Sequence, residues 1–432
     1  MAEPSKKRPR HDQTLLPKVT EVALHHAKIS KEVGGMRVLG VRGHLRPPES
    51  QGPEGSDQKD GEALGLSASD AAVLASMLRS PHSIQIDQAD FSELLEVRQE
   101  LPRVLAECDP KRPYRERKGQ LKTVVHWGQR KLLLSEIEFL TLHGTDCNRV
   151  IYAGAAPGTH IPFLTCFFPH LEFVLVDPGE FRVQSSERPK IEVRREFFTA
   201  ELAASLRQRA DGAGGPRDSR TLFISDVRTG DPKIHSKEQV EAFVAKDMAM
   251  QQEWVRLLVP RRAMLKFRLP WAAGATEYLD GEVRLPVWGP PTTTEARLMT
   301  DGVSTKSYDN TGYEQQMFYF NNVTRVRRYR TAMIGNGLCE SYDSAAELQI
   351  LGGFVASLSE SRRRTLEEVL GVEVDQSPSA VLDPLLEALF RRLSSESSAR
   401  GAKGRHLLTV LPMGMREKWL GFAEGVLGKH LI

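Results

Sequence analysis

A glycine-rich turn between a predicted strand and a predicted helix carries the residue types best suited to holding a ligand. Residues 149–164 read RVIYAGAAPGTHIPFL, where the β-branched and aromatic residues before Gly154 predict a strand and those after Gly158 predict a helix. Small residues at such a turn let a ligand approach the backbone, and open α/β sheets bind ligands at this place. The next predicted strand ends at Asp177, where a carboxylate can accept hydrogen bonds from ribose hydroxyl groups. The pattern favours a nucleotide-like ligand, and a tight turn followed by a capping acid is the alternative.

The elements around this turn predict a mostly parallel sheet. From about residue 120 onward, strand patterns alternate with helical patterns, which is typical of an α/β protein. An amphipathic run at 129–142 predicts a helix before the first strand. The segments GEVRLPVW, ARLMT and QQMFYFNNVTRV predict further, partly antiparallel strands, and the residues after Ser344 predict helices. The predicted parallel strands cover residues 149–153, 172–177, 221–227 and 262–269.

The composition excludes several classes of protein. Of the 432 residues, 40% are hydrophobic and 27% charged, and no stretch approaches the roughly 18 apolar residues that a membrane span needs. We therefore expect no membrane partner. The four cysteines, Cys108, Cys147, Cys166 and Cys339, form no CxxC pair, so neither a zinc ribbon nor a disulfide scaffold is predicted. This usage favours a reduced intracellular compartment, and no metal site is expected.

Charge and turn residues divide the chain into four parts. The run SKKRPR at 5–10 predicts a nuclear localisation signal or an auxiliary nucleic-acid contact, with a solvated basic tail as the alternative. We expect a nuclear protein on this basis. The predicted parts are a disordered basic tail at 1–20, an N-terminal extension at 21–109 with a Pro/Gly-rich linker at 46–65, the α/β domain at 110–340, and a C-terminal helical extension at 341–432.

Five segments occur in an order that resembles a known family. They are WGQRKLLLSEIEFL, YAGAAPGTH, ISDVR, MLKFRLPW and TEARL, within about residues 110–335. Together they resemble the poxvirus-type cap-specific mRNA (nucleoside-2'-O-)-methyltransferases, and most of all the kinetoplastid members that methylate the spliced-leader cap. The resemblance implies a Rossmann-type (FtsJ-like) methyltransferase sheet with helices on both faces, plus helical N- and C-terminal extensions.

The resemblance also implies a catalytic tetrad. Its members match Lys131, Asp226, Lys266 and Glu295 of this chain. The implied reaction moves the methyl group of S-adenosyl-L-methionine to a ribose 2'-hydroxyl near the 5' cap and leaves S-adenosyl-L-homocysteine. Lys266 would remove the hydroxyl proton, or steer the hydroxyl if the amine stays charged, and no metal is needed. Without the resemblance, two independent structural ion pairs would explain the same four residues.

A second set of residues is implied to bind the cofactor. Phe197 or Phe198 would flank the adenine, and His160 has the alternative of a helix N-terminal residue with no ligand role. Where poxvirus members place an arginine two residues after the ribose acid, this chain has Gly179. The full set is Gln129, Tyr152, Gly154, Gly158, His160, Asp177, Phe197, Phe198 and Arg228.

The resemblance implies capped RNA as the partner, either mRNA or spliced-leader RNA, with other capping or RNA-processing proteins as further candidates. Trp271 matches the aromatic ring that stacks on the positively charged methylated guanine, and Glu314 matches an acid that reads its edge. Tyr114 is the candidate for a second stacking ring, and Ala273 stands where the family has a second acid. Arg297 and two basic groups, at 111–122 and 325–330, are candidates for RNA phosphate contacts.

Three alternatives remain open at the level of the sequence. The same chemistry could act on uncapped ribosomal or transfer RNA, although Trp271 and Glu314 argue against that. A non-catalytic RNA-binding subunit could retain the fold, since the poxvirus relatives also assist polyadenylation. A nicotinamide oxidoreductase is the least favoured, because the glycine turn is not of the GxGxxG type.

Overall fold

The computed structural model of the protein describes residues 98, 100–114, 128–207, 220–231, 234–290, 292–327, 329, 342–372 and 383–401. The predicted basic tail, the Pro/Gly-rich linker and most of the N-terminal extension lie outside these residues, as does the chain after 401. Within the described residues, no helix combines the length and the apolar character needed to cross a membrane.

The described helices and strands alternate through the first half of the chain and become mainly helical at its end. The helices are α1 Gly128–His143, α2 Ile161–Phe167, α3 Ala200–Leu206, α4 Lys237–Leu258, α5 Asn310–Asn322, α6 Tyr342–Ser357, α7 Glu360–Leu370 and α8 Pro384–Gly401. The strands are β1 Arg149–Ala153, β2 Glu172–Val176, β3 Ser186–Glu187, β4 Lys190–Arg194, β5 Thr221–Ser225, β6 Arg262–Phe267, β7 Ala275–Leu279, β8 Glu282–Arg284, β9 Ala296–Thr300 and β10 Thr305–Asp309.

A mostly parallel sheet of eight strands forms the centre, in the order β3-β4-β2-β1-β5-β6-β9-β8. Strands β4, β2, β1, β5 and β6 are parallel, whereas β9 is antiparallel to both of its neighbours. Strands β1, β2 and β5 are buried along almost their whole length, as expected for strands covered on both faces. The predicted α/β class with a mostly parallel sheet is confirmed. Strands β7 and β10 form a separate antiparallel pair.

The strand order reverses between β1 and β5. The chain moves from β1 to β2 to β4 in one direction, and then from β5 to β6 in the other. Because parallel crossovers are right-handed, this reversal places α2 on one face of the sheet and α4 on the opposite face. Helix contacts fit this division, since α1 packs against α2 and α6, whereas α3 packs against α4. Ligands of open α/β sheets bind at such a reversal point, outside the carboxyl ends of the strands.

One predicted strand is wrong. The residues QQMFYFNNVTRV belong to α5 and to a 3-10 helix at Thr324–Val326. Tyr313, Met317 and Phe320 lie at helical spacing and are buried in the core, but so are most of their neighbours in α5. An apolar run that is buried on nearly every side shows no period, so its aromatic content alone favoured a strand. Strand β4 was not predicted, because KIEVR is short and carries three charged residues.

Buried ion pairs attach α6 to the rest of the domain. Arg130 of α1 donates to Glu347 of α6, with Nη2 2.6 Å from Oε1, and both side chains are at most 1% exposed. The other oxygen of Glu347 accepts a hydrogen bond from Trp288 Nε1 at 2.7 Å. Burial raises the pKa of the Glu347 carboxyl despite these bonds. Helix α6 is therefore part of the packed domain, and the predicted boundary at residue 340 divides residues that pack together.

A second buried pair corrects the prediction for the basic group at 325–330. Arg325 is completely buried, and its Nη2 lies 2.9 Å from Oδ2 of Asp343, which is equally buried. Arg327 is also buried and donates to the hydroxyl of Tyr319 at 2.7 Å. Arg325 thus joins the end of α5 to α6, and both arginines are too deeply buried to present their charge to an RNA phosphate. Arg328 and Arg330 lie outside the described residues.

Replacing Glu347 by alanine should strongly destabilise the fold. The change removes the carboxylate that both Arg130 and Trp288 contact and leaves a buried positive charge without its compensating anion. We expect the free energy of unfolding to fall by about 3–5 kcal/mol in urea titrations. Glu360→Ala is the matched control, because Glu360 and Arg364 form an ion pair that is 80% and 71% exposed. An equal loss of stability in both variants would contradict this interpretation.

Candidate active site

Strand topology brings four charged residues to one edge of the sheet. Asp226 directly follows β5, and Lys266 is the penultimate residue of the neighbouring parallel strand β6. Strand β9 is antiparallel to β6, so its amino end, rather than its carboxyl end, lies at this edge. Glu295 directly precedes β9, and Arg297 of β9 lies opposite Lys266 in the register. The edge is the one at which open α/β sheets bind ligands.

The four residues of the predicted tetrad form one compact cluster. Lys131, which projects from the first turns of α1, places its Nζ 2.6 Å from Oε1 of Glu295. Lys266 Nζ lies 3.1 Å from Oδ1 of Asp226 and 3.8 Å from Oε2 of Glu295. The side chains are 12–21% exposed, so the cluster is largely buried but reachable. Two independent ion pairs do not describe this arrangement, because Glu295 contacts both lysines.

Two arginines complete the cluster. Arg297 donates to Oδ1 of Asp226 at 2.7 Å and to Oε1 of Glu295 at 3.2 Å. Arg228 Nη2 lies 3.3 Å from Oε2 of Glu295. The structure corrects the prediction that Arg297 contacts RNA, because the residue is 5% exposed and its guanidinium is directed at the two carboxylates. Arg297 instead fixes the relative positions of Asp226 and Glu295.

The cluster contains more positive than negative charge. Its ion pairs join four cationic side chains to two carboxylates. Burial raises the pKa of Glu295, but Lys131, Lys266 and the arginines outweigh burial and hold that pKa well below its ordinary value. The pKa of Asp226 is likewise lowered, since Lys266 and Arg297 outweigh burial. Burial lowers the pKa of Lys131 despite the opposing charge of Glu295, and the charges of Arg297 and Lys266 add to the decrease.

The glycine turn after β1 packs directly against the loop that carries Asp226. Gly154 has φ of 79°, and a Cβ atom there would lie 2.9 Å from the backbone nitrogen of Val227. The backbone N–H of Asp226 donates to the carbonyl of Ala153 at 3.0 Å. Gly158 also has a positive φ, of 67°. A glycine at 154 is therefore required both for the backbone conformation and for the close approach of the two loops.

Asp177 lies at the end of β2, beside the same turn. Its Oδ2 accepts from the backbone N–H of Ala156 at 3.3 Å, and its Oδ1 accepts from that of Gly179 at 2.7 Å. A Cβ atom at Gly179 would lie 2.8 Å from Oδ1, so the glycine leaves room for this bond. The carboxylate remains partly exposed. Each carboxylate oxygen has a second lone pair, which is available to a ligand hydroxyl group.

Tyr152 and His160 lie beneath the turn. Both are almost fully buried, and both contact Oε1 of Glu136 on α1, the tyrosine hydroxyl at 2.6 Å and the histidine Nε2 at 2.9 Å. His160 precedes α2 but makes no capping bond with its side chain. Among the predicted cofactor residues, these two side chains support the turn through Glu136. Glu136 was not predicted as a site residue, because the sequence around an acidic residue in a largely apolar helix does not indicate which side chains it will contact.

The two phenylalanines after β4 have different positions. Phe198 is 8% exposed and packs against Phe223 and Trp254 in the core. Phe197 is 72% exposed. Phe197 follows β4, and Asp177 follows β2. Because β4 pairs with β2, the two residues come after adjacent strands. Of the two predicted alternatives, the structure favours Phe197. Gln129 lies in the first turn of α1, two residues before Lys131, and its side chain is outside the described part of the chain.

The residues predicted to bind the cap lie on three segments, with Trp271 in the loop after β6, Glu314 on α5 and Tyr114 at the end of the described segment 100–114. Trp271 is 46% exposed, and the guanidinium carbon of Arg268 lies 4.1 Å from the centroid of its ring. Burial raises the pKa of Glu314 on α5, and the positive charge of Arg268 opposes this rise. Tyr114 is 42% exposed and lies edge-on to Phe318, one turn after Glu314, at 5.6 Å between ring centroids.

Helix α4 supports the site from behind with polar residues that were not predicted. Asp247 is 3% exposed and accepts hydrogen bonds from the backbone and the hydroxyl of Thr229, in the loop that carries Asp226. Gln251, one turn later, donates to the carbonyl of Lys266 at 3.3 Å. A signal was present in the sequence, because both residues occupy positions of α4 at which the helical period predicts apolar residues.

The structure is thus an open α/β domain with a Lys-Asp-Lys-Glu cluster beside a glycine turn at the carboxyl edge of its parallel strands. The family described as Poly A polymerase regulatory subunit matches residues 104–342, more than half of the chain, and the chain belongs to this family. The matched range contains all four cluster residues, the glycine turn and Trp271. It ends at the first residue of α6.

Curated relatives come from poxviruses. The chain is 28% identical over 224 residues to the cap-specific mRNA (nucleoside-2'-O-)-methyltransferase of Myxoma virus (strain Lausanne), which covers 48% of this chain and 64% of the viral protein. The fowlpox virus (strain NVSL) protein of the same name is 27% identical over 219 residues, covering 46% of this chain and 68% of that protein. The resemblance to the poxvirus-type family is confirmed. The chain thus spans less than two thirds of the Myxoma virus protein.

A solved structure of bluetongue virus VP4, described as a multifunctional RNA-capping production line, overlaps 56% of this chain and 41% of that chain. The TM-score is 0.34 at 11% sequence identity. A likeness at this level carries no information about the fold or the site of the present chain.

The lowered pKa values of Glu295 and Asp226 predict a steep loss of stability in acid. In the unfolded chain these carboxyls titrate near their ordinary values of 4.5 and 3.8, whereas in the fold they stay ionised to lower pH. Their contribution to stability is therefore fully present above about pH 5 and is lost as the pH falls towards the folded-state values. Glu295→Gln should flatten the dependence of unfolding free energy on pH between about 5 and 3 in urea titrations.

The control for this measurement is Glu187→Gln, because Glu187 is exposed and no described ion pair of the structure includes it. That variant should retain the parent slope. If Glu295→Gln also retained the parent slope below about pH 5, the cationic cluster would not be holding the Glu295 carboxylate ionised.

Proposed function

We propose that the protein is an S-adenosyl-L-methionine-dependent RNA methyltransferase that modifies a ribose 2'-hydroxyl near the 5' cap. The observation that carries this proposal is the compact cluster of Lys131, Asp226, Lys266 and Glu295 at the ligand-binding edge of the sheet. The curated relatives are named for this activity, and their similarity to the chain supports the proposal. Because the chain spans only part of the length of these relatives, their activity is a proposal for this chain.

The residues beside the cluster fit the cofactor. Asp177 offers a partly exposed carboxylate to the hydroxyl groups of a ribose, and the exposed ring of Phe197 offers an apolar face to an adenine. The two lie after adjacent strands, as the parts of one nucleoside require. Gly154 and Gly158 give the turn its backbone conformation, and Gly154 packs against the loop that carries Asp226. The resemblance adds Gln129, the second residue of α1, as a candidate contact for the amino acid group of the ligand.

For this reaction the protein must activate a ribose hydroxyl and orient it towards the methyl group. When bound, S-adenosyl-L-methionine would supply an electrophilic methyl carbon, which the ribose oxygen attacks as the bond from carbon to sulfur breaks. Lys266 Nζ accepts the proton of the hydroxyl in the neutral state, or orients the hydroxyl in the charged state. Asp226 and Glu295 hold the amine in place at 3.1 Å and 3.8 Å. Positioning of this kind can contribute a large part of the rate.

Lys266 is better suited to this task than Lys131. Lys131 is held by Glu295 at 2.6 Å, whereas the contacts of Lys266 with carboxylates are longer. An amine that is less tightly bound to anions is freer to meet a substrate. In this arrangement Lys131, Arg228 and Arg297 supply positive charge and hold the carboxylates in place.

Recognition of the cap is proposed for the segments that carry Trp271 and Glu314. A half-exposed tryptophan ring can stack on a methylated guanine, whose positive charge strengthens the attraction, and a carboxylate can accept from the edge of the base. The ring of Tyr114 contacts Phe318, on the helix that carries Glu314, and Tyr114 remains the candidate for the second ring. A spliced-leader cap as the substrate and a nuclear location are further proposals, and the basic run at 5–10 on which the second depends lies outside the described residues.

A non-catalytic role is the second candidate function. The name of the matching family, Poly A polymerase regulatory subunit, favours it, because a regulatory subunit would assist another enzyme without chemistry of its own. The intact cluster argues for activity, since a binding subunit has no need to bury two lysines against two carboxylates. Both roles can exist in one chain. Methylation of uncapped ribosomal or transfer RNA would use the same cluster but not Trp271.

The first test is methyl transfer from labelled S-adenosyl-L-methionine to short RNAs that are identical except for the cap. We expect label on a ribose 2'-oxygen near the 5' end of the capped RNA, located by nuclease digestion, and little on the uncapped RNA. Equal label on both RNAs would instead favour a ribosomal or transfer RNA substrate. Tight RNA binding without any label would favour the non-catalytic role.

Lys266→Ala should abolish methyl transfer. Loss of the amine removes the proposed acceptor of the proton, so we expect kcat to fall by at least about a hundredfold, while S-adenosyl-L-methionine affinity stays within a few-fold by calorimetry. Lys246→Ala is the matched control, because Lys246 is an exposed lysine of α4. Turnover like that of the parent in Lys266→Ala would rule out the proposed role of Lys266.

A further inference from the structure

A carboxylate on α4 holds two residues of the loop after β6. One oxygen of Glu241 forms an ion pair with the guanidinium of Arg268, and the other accepts from the backbone N–H of Trp271 at 2.8 Å. The side chain of Arg268 is 10% exposed and that of Glu241 is 21% exposed. Both the position of the tryptophan backbone and the charge next to its ring therefore depend on Glu241.

Arg268 covers part of the Trp271 ring. Its guanidinium carbon lies 4.1 Å from the ring centroid, which is a close cation–π contact. Trp271 nevertheless keeps 46% of its surface exposed, so a flat ligand can reach the part of the ring that the guanidinium leaves uncovered. The ring thus contacts a protein cation and is still accessible to a ligand.

A cationic ligand that stacks on Trp271 would be repelled by the positive charge of Arg268 on the same ring. The electrons of one indole ring attract both cations, but the two repel each other across the ring, and a low local dielectric strengthens that repulsion. Burial and the nearby charge of Arg228 lower the pKa of Arg268 to about 10, so the guanidinium is still charged at neutral pH. Without a compensating anion, Arg268 would disfavour a positively charged base on Trp271.

We propose that Glu241 is a specificity-determining residue, which neutralises Arg268 and so allows Trp271 to prefer a positively charged 7-methylguanine over neutral guanine. The inference rests on the proposed cap recognition by Trp271 and adds to it the residue that sets the charge preference. Glu241 touches no substrate in this account and acts through Arg268 and the Trp271 backbone. A purely structural clamp would affect both bases equally, whereas charge compensation affects the cationic base more.

Glu241→Gln tests the inference, because it removes the charge and nearly keeps the size. The measurement is the affinity of the full chain for two short RNAs whose caps carry 7-methylguanosine or unmethylated guanosine, by calorimetry at low salt. We expect the preference for the methylated cap to fall by about two- to thirtyfold, with a much smaller change for the unmethylated cap. Glu253→Gln, an exposed glutamate of the same helix, should keep the parent ratio.

A second variant separates charge from structure. In Glu241→Gln/Arg268→Gln the uncompensated cation is gone as well, so the preference for the methylated cap should recover relative to Glu241→Gln alone. An equal loss of affinity for both caps in Glu241→Gln, or a double variant that is no more selective than the single one, would overturn the inference.

The proposed function can fail separately from this inference. If the parent protein binds both capped RNAs no better than uncapped RNA, cap recognition itself is wrong and the role of Glu241 is wrong with it. If the parent protein prefers the methylated cap and Glu241→Gln keeps the full preference, cap recognition stands and only the inference about Glu241 is wrong.

Discussion

The carboxylate of Glu295 is the interaction on which the geometry of the site depends. It contacts Lys131 from α1, Lys266 from β6, Arg228 from the loop after β5, and Arg297 from its own strand. Three parts of the chain, besides the segment that carries Glu295 and Arg297, are thus fixed relative to one anion. The carboxylate reaches this position only because β9 runs antiparallel between β6 and β8, which brings the start of that strand to the edge where the parallel strands end.

The rest of the domain holds this anion and its partners in register. Asp247 and Gln251 on α4 bond the loop after β5 and the carbonyl of Lys266 from one face of the sheet. Glu136 on α1 joins that helix to Tyr152 and His160 beneath the glycine turn. Burying a polar group is unfavourable in free energy unless the group is hydrogen-bonded. These bonds offset that penalty and also restrict the side chains to one arrangement. The position of α1, and therefore of Lys131, depends further on the buried pair with α6.

The sequence predicts the parts of the site that follow local rules. The strand 149–153 has its observed bounds, and the glycine turn, Asp177 and Asp226 follow from strand ends and small residues. The resemblance supplied the tetrad as a set, since the sequence predicts ARLMT as a strand but nothing local places that strand beside β6. Residues whose roles depend on distant partners were missed or misplaced. Arg297 and Arg325 appeared as surface cations, but Asp226, which binds Arg297, lies 71 residues away in the chain, and Asp343, which binds Arg325, lies 18 residues away.

Charge is distributed unevenly between the two halves of the proposed site. The tetrad and its two arginines carry more cations than carboxylates, so that half attracts anions such as RNA phosphates. Around Trp271 the balance is reversed, because Arg268 is paired with Glu241 and also lies in the field of Glu314. A capped RNA has the complementary pattern, with a cationic base joined to phosphates and a ribose. The electrostatic potential of the site would therefore attract the cationic base to Trp271 and the phosphates to the lysines, and so fix the direction in which the RNA binds. The geometry at Lys266 alone would not determine that direction.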